Sequence, residues 1–222
     1  MGTPVLILGD SGAGKSYSLR NFKADEMILL QCIPKMLPFK ADGWKLNGKV
    51  LPDGSTQRGN VIRSDAWDVV LDTIHRMVMS KTRRVLIIDD FQVVMQHENM
   101  ARAYQTGYAK FTEMADHVWQ IITAATQLPD DFRIYFLAHT EESEGKIRMK
   151  TTGKMLNEKL TPEGYFSIVL RAIKKDGKHV FLIKGDDNDT AKAPPDLFPG
   201  KTEMDNDLKA VDVAITEFMT EL

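Results

Sequence analysis

Residues 5–20 read VLILGDSGAGKSYSLR: an apolar run, then G-x-x-x-x-G-K-S, then a stretch compatible with a helix. No other part of the chain restricts the fold as tightly. The apolar run suits a strand buried on both faces. Gly9, Gly12 and Gly14 free the backbone to curl until successive N–H groups point inward at an anion. A helix opening over 15–22 adds its positive end at the same point. The spacing assigns Gly9, Asp10, Ser11, Gly12, Ala13, Gly14, Lys15, Ser16 and Tyr17 to a phosphate cradle. In such a cradle Lys15 reaches the β- and γ-phosphates of a nucleotide, and the Ser16 hydroxyl sits on Mg²⁺.

A second motif supports the first. Residues 85–89, VLIID, are four apolar residues running into an acid. A carboxylate ending a buried parallel strand lies at the mouth of the sheet beside the cradle, where Asp89 can hold a water of the Mg²⁺ shell. Asp90 follows directly. It is a candidate for the base that polarises an attacking water, or else a helix cap. The third candidate is LAHTEE at 137–142. A polar residue ending the strand next to that of Asp89 can feel whether a γ-phosphate is present. His139 or Thr140 suits that task, and Glu141 suits a relay into the segment that follows. The other reading of His139 is a satisfied strand-end histidine.

Strand patterns at 4–8, 27–33, 84–90 and 133–140 alternate with helical ones. Ser64 or Asp65 can cap a helix bearing Trp67, Val70, Leu71, Ile74 and Val78. Tyr108, Phe111, Met114, Ala115, Val118, Trp119 and Ile122 mark a longer one. Asp176-Gly177, between 165–173 and 179–184, is a hairpin signal. Leu208, Val211, Ile215, Phe218, Met219 and Leu222 give a C-terminal helix with an acidic outer face. The expectation is an α/β fold with a mainly parallel sheet, helices on both faces and an antiparallel hairpin near the C-terminus. One domain would span 1–222. It would carry an insertion at 34–60 with a small hairpin at Asn47-Gly48, a mobile loop at 141–164 and a C-terminal helix over 205–222.

Composition removes several functions. Against 29 basic residues stand 31 acidic ones, a net charge of −2, so nothing draws the whole chain to nucleic acid or an anionic membrane. Any nucleic-acid site must be a local patch. Cys32 is the one cysteine, which excludes an intrachain disulfide, and its apolar neighbours mark it as a buried thiol. No apolar run approaches the ~20 residues that span a bilayer. The expectation is a cytoplasmic protein without membrane contact.

GDSGAGKS, VLIIDD and FLAHTEE, followed by a hairpin and by AKAPPDLFP at 191–199, resemble the compact bacteriophage P-loop ATPases with a RecA-like core. Within that group the chain is similar to the short proteins credited with single-strand annealing in phage recombination. The resemblance spans most of the chain. It implies ATP and Mg²⁺ as cofactors and a host-cytoplasmic location. It also implies a nucleotide held between neighbouring copies in a ring or filament, with Lys184 or Lys192 of one copy reaching the γ-phosphate held by the next. RecA-like proteins usually place a catalytic glutamate just after the second strand, whereas LLQCIPK at 29–35 offers Gln31 and no acid. AAA-type ATPases instead have a glutamate straight after the metal aspartate. Both comparisons point to Asp90 as the base, with Glu141 second.

The segment 145–160, GKIRMKTTGKMLNEKL, carries Lys146, Arg148, Lys150, Lys154 and Lys159 against Glu158 alone. A flexible basic loop of this kind can follow a single-stranded phosphate backbone. Two readings stay open: a DNA-dependent ATPase that binds single strands, or an ATP-driven assembly or switch protein whose loop meets another protein. A small-molecule kinase is a weaker third, since Arg148 has no second arginine beside it to form a lid.

Overall fold

The computed structural model describes residues 2–143, 145–152 and 161–220. Ten strands are present among these: β1 (Thr3–Leu8), β2 (Met27–Gln31), β3 (Val61–Arg63), β4 (Val85–Asp89), β5 (Arg133–Ala138), β6 (Thr140–Ser143), β7 (Lys146–Met149), β8 (Ile168–Lys175), β9 (Lys178–Leu182) and β10 (Glu203–Asp205). Eight form one sheet in the order β10-β9-β8-β1-β5-β4-β2-β3, while β6 and β7 pair separately. From β8 to β3 every neighbour is parallel; β9 and β10 add antiparallel strands at one edge. This is the mixed α/β architecture expected of alternating strands and helices.

The register decides where chemistry can happen. Leu8 is level with Ala138, Leu137 with Asp89, and Asp89 with Gln31. Gly9, His139, Asp90 and Cys32 therefore leave the sheet together at its carboxyl edge. Because β5 lies between β1 and β4, the glycine-rich loop and the two aspartates flank His139. Such a crevice is where open α/β sheets bind ligands.

Alternate residues of each strand face opposite layers. Leu6, Leu8, Leu86, Ile88 and Phe136 pack under α1 (Trp67–Ser80), α2 (Gln92–Ala101) and α3 (Ala109–Thr126). Val5, Ile7, Ile87 and Leu137 pack under Leu19, Phe22 and α4 (Leu208–Thr220). Helix α2 carries no stripe that the sequence could show, because Gln92, Val93, Val94 and Met95 are all buried in succession.

Four expectations need correction. Residues 15–22 form no α-helix but a six-residue 3₁₀ turn, Ser16–Asn21. The Ser18 hydroxyl donates to the Lys15 carbonyl at 2.6 Å, a local bond that competes with the helical ladder. In the 34–60 insertion the hairpin closes around Leu51 and Ser55, with Val50 opposite Thr56, rather than at Asn47-Gly48. The first part of the 141–164 segment is the β6–β7 hairpin, not a loop. The outer face of α4 is not uniformly acidic: Asp212 is buried, accepting bonds from Arg133 Nε at 2.5 Å and the Tyr135 hydroxyl at 2.7 Å. This group ties α4 to β5. Asp212→Ala leaves a half-buried guanidinium without its carboxylate, and a loss of about 3–5 kcal/mol is expected in a urea melt. An unchanged midpoint would show that the pair contributes nothing.

Candidate nucleotide-binding site

The loop after β1 is shaped by its neighbours as much as by its glycines. A Cβ on Gly9 would lie 2.6 Å from the Ala172 carbonyl of β8, and one on Gly14, which has φ +98, would lie 2.9 Å from His179. Any side chain at either position would push the loop off the sheet. The His179 Nδ1 stands 3.1 Å from the Ala13 carbonyl and braces the loop from outside. Since the following helix is a single 3₁₀ turn, the anion-attracting groups here are the N–H groups of the loop itself and Lys15.

Lys15 is buried, and its ammonium donates to the carbonyls of Gly9 at 2.6 Å and Asp10 at 3.0 Å. Burial lowers its pKa to about 8, against the pull of Asp90 and Asp89. The Ser16 hydroxyl donates to both carboxylate oxygens of Asp89, at 3.2 and 3.0 Å. Asp89 itself is buried, and burial raises its pKa, with Lys35 and Ser16 opposing the rise.

Asp90 stands in the left-handed region at φ 64. The turn there aims its carboxylate back at the crevice. Burial alone would favour the protonated acid, but His139 and Lys35 outweigh it and hold the carboxyl well below the ordinary range. Lys35 Nζ lies 2.5 Å from Asp90 Oδ2 and 3.6 Å from Asp89 Oδ2, while His139 Nε2 lies 3.4 Å from Asp90 Oδ1. That Oδ1 atom is buried without a hydrogen bond. Sequence reasoning did not find Lys35, which reaches Asp90 across 55 positions from an irregular segment. Nor did it find His179, which sits on the antiparallel strand β9.

A cavity of about 350 Å³ joins these groups. Asp10, Ser11, Gly12, Gly14, Lys15, Ser16 and Tyr17 line it from the loop, with Lys35, Met36 and Pro38 opposite and Asp90, His139 and His179 at its floor and sides. Its size suits a small-molecule site. Gly9 and Ala13 support the loop from behind rather than lining the cavity.

The remaining candidates lie elsewhere. Thr140 bonds the Asp10 carboxylate, so β6 is joined directly to the loop. Glu141 borders a separate cleft with Asp10, Thr140 and Arg171, and in the hairpin it stands opposite Arg148. Lys146 opens the same strand and Lys150 follows it, whereas Lys154 and Lys159 lie outside the described residues. Within the described part of 145–160, β7 has the acidic strand β6 beside it, with Glu142 opposite Ile147. Lys184 and Lys192 are exposed and do not line the cavity. Either would need a second copy of the chain to place it at a phosphate.

No family model matches the chain, and no curated protein does. Among solved structures it is similar to an ATPase from the type III secretion system of pathogenic bacteria, at 13% identity over 77% of this chain, with a TM-score of 0.46. The match takes in 51% of that chain, so this protein spans about half the length of that neighbour.

No described helix is long and apolar enough to cross a membrane. Among the described residues no cluster of three or more His, Cys, Asp or Glu is placed to cage a metal ion. Ser16 and Asp89 nevertheless fit Mg²⁺. This ion needs only one or two hard protein oxygens and completes its shell with water and phosphate. Asp90 Oδ1, buried without a hydrogen bond and 3.4 Å from His139 Nε2, and the buried carboxylate of Asp89 both suit a site completed by such a shell.

Proposed function

We propose that the chain is a MgATP-binding P-loop NTPase with a RecA-like sheet, and that it hydrolyses ATP. The contact between Ser16 and Asp89 carries this reading. Two oxygen groups separated by 73 positions meet at the carboxyl edge of the sheet, beside a buried lysine in a glycine-rich loop. Bound metal would neutralise the phosphates and leave the terminal one open to attack by water.

The chain supplies the positioning. The N–H groups of 10–12 and 14–16, which line the cavity, hold the phosphate chain, and Lys15 exchanges its carbonyl partners for phosphate oxygens. Ser16 and Asp89 fix the metal and its water. Asp90, kept ionised between Lys35 and His139, orients the attacking water. His139 stands at the end of β5 where it registers the terminal phosphate. Because Thr140 follows it and bonds Asp10, a change at the phosphate reaches the β6–β7 hairpin through one residue.

The partner is proposed as single-stranded DNA met by Lys146 and Arg148 on β7 and by Lys150 just after it, in a recombination or annealing role. A ring or filament that brings Lys184 or Lys192 of one copy to the next belongs to the same reading. A protein partner is the second reading, favoured by Glu141 standing opposite Arg148, which offsets the charge a phosphate backbone needs. Phosphate release from MgATP, with and without single-stranded oligonucleotide and with Lys15→Ala as the blank, tests both. Stimulation that fades steeply with salt supports the DNA partner. Hydrolysis indifferent to the oligonucleotide removes it and leaves the NTPase.

A further inference from the structure

Lys35 stands where the proposed metal and terminal phosphate would meet, yet the phosphate-loop motif gives it no part. Its ammonium lies 2.5 Å from one carboxylate of the pair and 3.6 Å from the other, and it lines the same cavity as Lys15 and Ser16. Burial works against its charge, but Asp89 and Asp90 outweigh burial and hold its pKa above that of an ordinary lysine.

Its place is fixed from behind. The Gln31 amide, at the end of β2, donates to the Lys35 carbonyl at 3.0 Å, while the Gln31 Oε1 accepts a bond from Arg63 Nε at 3.4 Å. A glutamate at position 31 would have no N–H to donate. Gln31 therefore holds the backbone from which the Lys35 ammonium reaches the two aspartates.

We infer, on the nucleotide-binding reading above, that Lys35 is an in-chain cation for the terminal phosphate, by which the site tells a nucleoside triphosphate from a diphosphate. The charges in the crevice support this. Three carboxylates, of Asp10, Asp89 and Asp90, stand around the two ammoniums of Lys15 and Lys35 before any ligand arrives. A divalent ion held by Asp89 would answer the charge that Lys35 now faces there, and would loosen the contact of Lys35 with Asp89, now at 3.6 Å. Lys35 keeps Asp90 at 2.5 Å and turns its remaining N–H donors toward the added anion, the phosphate lying beside the metal. A diphosphate brings no group to that point, so its binding does not draw on Lys35.

Equilibrium titration with a non-hydrolysable fluorescent ATP analogue and with ADP, both with Mg²⁺, tests the assignment without turnover. Lys35→Ala is expected to weaken the triphosphate by about tenfold or more, as loss of a charge-assisted bond does, and the diphosphate by less than about threefold. Lys35→Arg should recover part of the difference. The far-ultraviolet circular dichroism and thermal midpoint of each variant confirm that it is folded, and Lys35→Met, which keeps the stem without the charge, serves if Lys35→Ala is not. An unchanged triphosphate-to-diphosphate ratio in a folded Lys35→Ala, with Lys15→Ala losing both ligands, overturns the role of Lys35 and leaves the site intact. Wild-type protein that binds neither nucleotide overturns the site, and the inference falls with it.

Discussion

Lys15→Ala is expected to lower MgATP turnover by about 100-fold or more, the usual cost of removing one preorganised charge stabiliser. The effect is large because nothing else in the loop replaces that charge. Lys35 stands outside the loop and is tied to Asp90 at 2.5 Å, and the short 3₁₀ turn offers little dipole of its own. The fold should survive the change. Burial lowers the Lys15 pKa to about 8, so at neutral pH its ammonium costs the folded state stability, a cost relieved as pH rises from about 8 toward the ordinary lysine value. Lys15→Met, which keeps the aliphatic stem without the charge, should therefore melt at or above the wild-type temperature at pH 7 while losing turnover alike. Phosphate release and differential scanning fluorimetry on the same samples check both halves. Wild-type turnover in either variant would mean the cavity is not where the nucleotide reacts.

The sequence made β1, β4, β5 and α3 legible for a simple reason: their patterns depend on near neighbours. Four apolar residues ending in an acid need no tertiary information to be read as a strand reaching a sheet edge. The same locality explains what stayed hidden. Lys35 gains its meaning from Asp90, which follows β4 and comes beside it because β2 and β4 pair. Asp212 looked like part of an exposed face because the helical stripe of α4 says nothing about Arg133 and Tyr135 waiting on β5. The 3₁₀ turn was misread for a different reason. Glycine-rich loops of this type are expected to open a helix, yet Ser18 turns its hydroxyl onto the backbone and Phe22 closes the turn with an N–H bond to Leu19. A charge window along the chain also misses the pairing at the hairpin, which sets Glu141 opposite Arg148.

Asp89→Asn is the second large effect expected, and it separates binding from chemistry. The amide keeps the size of the side chain and one oxygen for Ser16, so the loop should hold its shape. What it removes is the negative charge that fixes the metal. Turnover in Mg²⁺ is expected to fall by about 100-fold or more, while affinity for ATP measured without divalent ion should stay near the wild-type value or tighten, since a carboxylate facing the phosphates has gone. Stability should move the other way from activity. Burial raises the Asp89 pKa, so the ionised group costs the fold stability above that pKa and the cost fades as pH falls through it. The neutral amide carries no such cost at pH 7, and its melting temperature should match or exceed that of the wild type. Lys35 still has Asp90 at 2.5 Å and is not stranded by the change. Titration of ATP with and without Mg²⁺, read beside the melt, distinguishes this from simple damage. Loss of Mg²⁺-free affinity together with a lower melting temperature would make Asp89 a structural residue and return the metal role to Ser16 and the phosphates alone.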